Sequence, residues 1–216
     1  MYVIIDWHLL DPGDPFVNRA RAGRFFAAMT HRFADQDNVL YEIANEPNGV
    51  PWSRVRTYAE ELIPEIRASD PNAPILVGTA GWSSFGVADG HDPRQVVRHP
   101  VRADNIAYTF HFYAASHGAD YRRALARASR RLPVFVTEFG TQRFTGDGPN
   151  DFASAGRYLA LMKKRGISWV SWNYSDDWRS GAVFETGTCP DGPFATDAVL
   201  KPAGEWVRDR IRAGSA

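Results

Sequence analysis

The chain has 216 residues, with 25 Lys and Arg against 25 Asp and Glu, and a single cysteine, Cys189. A chain of this length buries one sizeable core, so a single domain over residues 1–216 is expected. Balanced charge without a basic block argues against nucleic acid as a partner, no stretch is long enough for a membrane span, and a lone cysteine excludes an intrachain disulfide.

Apolar, β-rich runs occur at Tyr2 to Ile5, Val39 to Ile43, Ile75 to Val77, Ile106 to Phe112, Val134 to Val136 and Ile167 to Trp172, and read as six strands. Helical spacing lies between and after them, over Val17 to Phe33, Val55 to Arg67, Asp120 to Arg130, Asp151 to Lys164 and Ala203 to Arg212, with a weaker turn at Arg94 to Val97. The strand runs show little polar alternation, which is the pattern of strands buried on both faces in a parallel sheet covered by helices. Polar residues gather at the predicted carboxyl ends of these strands: Asp6 and His8, Asn45 and Glu46, His111 and Tyr113, Glu138, then Trp172 and Asn173. An open doubly wound sheet collects ligands at one switch point, whereas a (β/α)8 barrel uses the ends of many strands, so the barrel is the better fit.

Two of these residues suit one reaction in particular. Glu46 stands in Ile-Ala-Asn-Glu-Pro-Asn-Gly and Glu138 in Val-Phe-Val-Thr-Glu-Phe-Gly, each following an apolar run. Glycoside hydrolysis uses one carboxyl group to protonate the leaving oxygen and a second to attack carbon or activate water. Seven Trp, eight Tyr and thirteen Phe also provide flat apolar faces of the kind that sugar rings pack against. The six His residues form no HExxH or tight Cys/His pattern, and neither a phosphate-cradling glycine loop nor a Gly-x-Ser-x-Gly elbow is present. No cofactor or metal is therefore expected, beyond incidental binding by loop residues such as His91, Asp92, His99 and His117.

The motifs Val-Ile-Ile-Asp-Trp-His at 3 to 8, Tyr-Glu-Ile-Ala-Asn-Glu-Pro-Asn-Gly at 41 to 49 and Val-Gly-Thr-Ala-Gly-Trp at 77 to 82 come first. Phe-His-Phe-Tyr at 110 to 113, Val-Thr-Glu-Phe-Gly at 136 to 140 and Ser-Trp-Asn at 171 to 173 complete the set. Together they resemble the bacterial endoglucanases of glycoside hydrolase family 5. The resemblance implies a retaining endo-β-1,4-glucanase acting on cellulose-like polysaccharide or cello-oligosaccharide, with mannan or mixed-linkage glucan as alternatives. Glu46 would be the acid/base, Glu138 the nucleophile, and Asn45 a partner of the sugar 2-hydroxyl. The two carboxyl groups of a retaining enzyme lie about 5 Å apart. Glu46 would need a raised pKa through partial burial, and Glu138 would need donors that keep it ionised.

The resemblance also places His8, His111 and Tyr113 around the cleaved sugar, Trp172 beneath it and Trp82 on the leaving-group side. Trp178, on the loop after the last strand, would extend the non-reducing side. Trp7, Trp169 and Trp206 read as packing residues, and Glu42 as a structural carboxylate. The matched motifs begin at the family's third strand, so the expected fold is an incomplete (β/α)8 barrel of about six units. The family's first two strands supply an arginine near the nucleophile, and no segment here matches them. Open barrel edges lead to an expected homo-oligomer, and an impaired glucan-binding remnant is the rival to the active enzyme. A polymer hydrolase of this type works outside the cell, although the first residues do not read as a signal peptide.

Overall fold

The computed structural model describes residues 1–191 and 199–214. In chain order it comprises β1 (Val3–Asp6), α1 (Arg19–Phe33), β2 (Val39–Glu42), α2 (Trp52–Arg67), β3 (Ile75–Val77), α3 (Ala80–Ser83) and α4 (Arg94–Arg98). Then follow β4 (Ile106–Tyr113), α5 (Ala119–Ala128), β5 (Val134–Gly140), α6 (Phe152–Arg165), β6 (Trp169–Ser171), α7 (Thr188–Asp191) and α8 (Pro202–Gly214). The sheet order is β1-β2-β3-β4-β5-β6, with parallel pairing of β1 to β2, β2 to β3, β3 to β4 and β5 to β6. Parallel neighbours need crossover connections, which the helices between successive strands supply.

Two compact units make up the chain: Met1–Phe110 with Arg123–Phe135, and His111–Arg122 with Val136–Ala216. In the first, Phe26 is fully buried and meets Tyr41 edge-on at 6.1 Å, while the buried Tyr58 donates its hydroxyl to the carbonyl of Ile43 at 2.9 Å. The register Val3 to Val39 through Asp6 to Glu42 sets the end of β1 beside the end of β2.

In the second unit, Phe112 stacks on Phe139 at 5.1 Å and on Tyr158 at 3.7 Å, all three buried. Truncating such a ring to Ala costs about 3–5 kcal/mol. Helix α6 has the start and stop signals its sequence suggests. The Asp151 carboxylate accepts the N–H of Ser154 at 2.8 Å, and Gly166 closes the helix at φ 64°.

Several expectations about the elements change. Strand β5 runs on to Gly140 and β4 to Tyr113, because buried polar residues continue the ladder past the apolar run. Strand β6 is shorter than expected, at Trp169–Ser171. Burial on both faces holds for β3, whereas β1 and β6, at the two ends of the strand order, are only partly covered. Met1, Tyr2 and Val3 are exposed. Helices α3 and α7 are additional to those the spacing predicts. Residues Gly81, Trp82 and Ser83 in α3 have φ of 70°, 58° and 51°, a left-handed turn that hydrophobic periodicity does not encode.

Candidate active site

In the first unit the Asn-Glu segment leaves β2 as an extension fixed by backbone bonds. Asn45 N–H donates to the Trp7 carbonyl and Glu46 N–H to the Leu9 carbonyl, both at 3.1 Å. The Asn48 side-chain amide donates to the carbonyls of Leu10 and Glu46 at 2.9 Å each. Asn45 and Glu46 are both buried, and Asn45 Nδ2 has no acceptor among the described residues. A buried amide donor without a partner costs about 1–3 kcal/mol, so its place is explained if a ligand hydroxyl accepts from it.

His8 Nδ1 lies 2.8 Å from Asp6 Oδ2 at the end of β1. Trp82 is 42% exposed, and its backbone N–H donates to the carbonyl of Pro47 at 3.0 Å, which ties this residue to the Glu46 segment. Beneath that turn, Ser83 Oγ donates to the Asn45 carbonyl at 2.6 Å and lies 3.0 Å from Thr109 Oγ1.

The second unit holds the other carboxylate. Glu138 is buried within β5, and the Tyr113 hydroxyl at the end of β4 donates a short hydrogen bond to its Oε1. His111 Nδ1 lies 4.0 Å from Glu138 Oε2, and His111 Nε2 is 2.8 Å from Thr137 Oγ1. A phenol donating to a carboxylate stabilises the ionised form. His117 lies half-buried rather than in open solvent: its Nδ1 accepts the Tyr113 N–H at 2.9 Å, and its ring stacks on Tyr121 at 4.0 Å. His91 and His99 are exposed, and Asp92 is held by Arg94 at 2.9 Å, which lowers its pKa to about 2.

A cavity of about 160 Å³ opens in this second unit, lined by Tyr113, Gln142, Trp172, Asn173, Asp177 and Arg179 among others. Trp172 is 39% exposed, and Trp178 nearby in sequence is 69% exposed with the Arg179 guanidinium 5.4 Å from its ring centre. Trp169 and Trp206 pack against Phe139 and Phe152, and Trp7 against Phe25, as packing residues should. Glu42 is buried, in keeping with a structural carboxylate.

Sequence reasoning passes over Ser83, Thr109, Gln142 and Lys201, and takes His117 only as a loop residue open to incidental metal binding. The run Thr-Ala-Gly-Trp-Ser-Ser after β3, polar and small with little hydrophobic periodicity, is the available signal for Ser83. For Gln142, in Gly-Thr-Gln just after Glu138, no pattern points to its burial at 1% exposure.

The family described as Cellulase (glycosyl hydrolase family 5) matches residues 1–177. The chain belongs to glycosyl hydrolase family 5. Among family 5 relatives, "Endoglucanase E-5" of Thermobifida fusca is 56% identical over 213 residues, covering 99% of this chain and 46% of that protein. "Endoglucanase CelA" of Streptomyces lividans is 50% identical over 211 residues, with 98% and 46% covered. This family 5 chain thus spans about half the length of the curated relatives it matches. The crystal structure of the catalytic domain of a Thermobifida fusca endoglucanase in complex with cellotetraose aligns with a TM-score of 0.96 at 56% identity, over 98% of this chain and 70% of that one. The six parallel strands and their helices are part of the (β/α)8 barrel of family 5.

Proposed function

We propose that the chain carries the catalytic machinery of a retaining endo-β-1,4-glucanase acting on cellulose-like chains. The observation that carries the reading is the buried Glu138, with the Tyr113 hydroxyl donating to it, in the unit that also opens the Trp172-lined cavity. Family membership and the second strand-end carboxylate, Glu46, support it. The relative crystallised with cellotetraose supports a cello-oligosaccharide as ligand.

In this mechanism Glu138 attacks the anomeric carbon while Glu46 protonates the departing glycosidic oxygen. A covalent glycosyl ester forms on Glu138. Glu46, now ionised, takes a proton from water, which attacks the same carbon and releases Glu138 with net retention. Asn45 would hold the 2-hydroxyl through its unpartnered amide, and His8 and His111 would border the cleaved sugar. Trp172 would support the ring from below, with Trp82 on the leaving-group side and Trp178 on the non-reducing side.

Action on an insoluble polymer would place the work outside the cell. No helix among the described residues is long and apolar enough to cross a membrane. The exposure of Met1, Tyr2 and Val3 beside the end strand β1 supports a further reading, that copies associate through this edge. Light scattering that gives a monomer mass would refute that association.

The deciding experiment is hydrolysis of an aryl β-cellobioside by this chain beside Glu138→Ala, with the first product's anomer read by NMR. Turnover with a β product that is lost in the variant is expected. Binding without turnover in either protein would replace the enzyme by a glucan-binding remnant.

A further inference from the structure

Trp178 is presented by Ser175-Asp176-Asp177-Trp178-Arg179-Ser180-Gly181, a segment without helix or strand. Polar contacts give it shape. Arg179 N–H donates to Asp177 Oδ1 at 2.8 Å, Ser180 N–H to Asp147 Oδ1 at 3.0 Å, and Ser180 Oγ to the Gly148 carbonyl at 2.6 Å. Of the carbonyls on either side of the indole, that of Asp177 accepts a long bond from the Thr186 hydroxyl at 3.4 Å and that of Arg179 accepts the Ala182 N–H at 3.2 Å, but neither bond joins the two.

Lys201 reaches both of them. Its Nζ donates to the Asp177 carbonyl at 2.5 Å and to the Arg179 carbonyl at 2.9 Å, and the residue is 8% exposed. Its backbone is anchored: Lys201 N–H donates to the Val183 carbonyl at 2.9 Å, and its own carbonyl accepts the N–H of Glu205 at 3.0 Å, at the start of α8.

Stability alone does not explain a lysine here. Burying an ammonium costs desolvation and side-chain entropy, and a cation at a helix N-terminus opposes the helix dipole. A methionine would fill the stem's volume without those costs. What the ammonium adds is a clasp on the peptide groups that bracket Trp178.

We propose that Lys201 is a positioning residue for Trp178, holding the indole as a platform for a distal glucosyl unit of a bound chain. The inference rests on the glucan-hydrolase reading. It assigns substrate-length preference to a residue that contacts no substrate.

The test uses the full chain carrying Glu138→Gln, so that cellohexaose binds without being consumed, with affinity read by calorimetry. Lys201→Met and Trp178→Ala should each weaken cellohexaose about five- to tenfold, as expected for one lost aromatic contact. The double variant should be no weaker than Trp178→Ala alone, since Lys201 acts through the indole. Losses that add, or an unchanged affinity in Lys201→Met, would overturn the assignment. A purely structural lysine would give the additive result.

Hydrogen exchange on the unliganded chain separates this inference from the reading beneath it. Lys201→Met should speed exchange at Arg179 and Ser180, and unchanged protection there overturns the clasp whatever the ligand. Faster exchange in a chain whose Glu138→Gln parent does not bind cellohexaose would instead overturn the glucan platform together with the hydrolase reading. Lys201→Gln, which keeps a shorter amide donor, replaces the methionine variant if that fails to fold, and should bind cellohexaose more weakly than the parent; parental affinity and parental protection at Arg179 and Ser180 would overturn the assignment.

Discussion

Gly78, just past β3, packs against the backbone that leads to the candidate acid. A Cβ built there would lie 1.9 Å from the Ala44 carbonyl oxygen and 2.9 Å from Pro47 Cδ, on the two sides of Asn45 and Glu46. Real Cβ atoms essentially never come within 3.0 Å of a neighbour, so Gly78→Ala forces a displacement of about 1.1 Å between the new methyl and the Ala44 carbonyl oxygen. Overpacking of this kind costs about 1–3 kcal/mol, a fall of roughly 3–10 °C in Tm for a chain of this size. Misplacing a catalytic group by about 1 Å costs on the order of a hundredfold in rate. Paired thermal scans and aryl β-cellobioside kinetics would measure both effects, with the loss expected mainly in kcat. A variant with parental Tm and kcat/KM would refute the argument, since it would show that the Ala44 to Pro47 segment gives way freely.

Gly156 is the opposite case. It lies inside α6, and a Cβ added there would meet nothing within 4 Å, so Gly156→Ala should stabilise by about 0.5–1 kcal/mol and raise Tm by a few degrees; a lower Tm would show an unseen clash. Ser83→Ala removes the donor to the Asn45 carbonyl in a fully buried position and should cost about 1–3 kcal/mol in urea unfolding, and an unchanged midpoint would mean that the bond contributes nothing net. Burial and the neighbouring Asp70, 3.2 Å from its hydroxyl, push the Tyr41 phenol up to about 12. The unfolded chain releases that proton near pH 10 while the folded chain keeps it, so stability falls as pH rises from about 10 to 12. Tyr41→Phe should flatten that fall by the share of one proton, and identical alkaline slopes in the two proteins would sink the assignment.

The strands are legible because their apolar runs are nearly continuous, as buried parallel strands require. Their ends are not, since Tyr113 and Glu138 belong to strands although they lie past the apolar runs. For α6 both ends can be read, because Asp151 and Gly166 act through local chemistry that a sequence displays. The turn at Gly81 to Ser83 is hidden for the converse reason. Trp82 and Ser83 take left-handed φ without being glycine, and the hydrogen bonds from Trp82 N–H to Pro47 and from Ser83 Oγ to Asn45 that accompany this join residues 35 to 38 positions apart.

The same distinction separates the candidate site residues that a sequence exposes from those it hides. Glu46 and Glu138 sit in motifs because the chemistry they suit fixes both their identity and their neighbours. Lys201 and Ser83 carry no motif, because what each does is hold a main-chain carbonyl, and any residue supplies a carbonyl. Lys201 reaches Asp177 and Arg179 from 24 and 22 positions away, and Ser83 reaches Asn45 from 38. Recognition of such residues therefore depends on burial: a polar side chain withdrawn from water must be matched, and asking what matches it leads to the backbone it positions. Asn45 Nδ2 is one of several exceptions, Gln142 among them, and the informative one beside a candidate catalytic carboxylate. It is buried and has no match among the described residues, which is the condition expected of a group whose partner is a substrate hydroxyl.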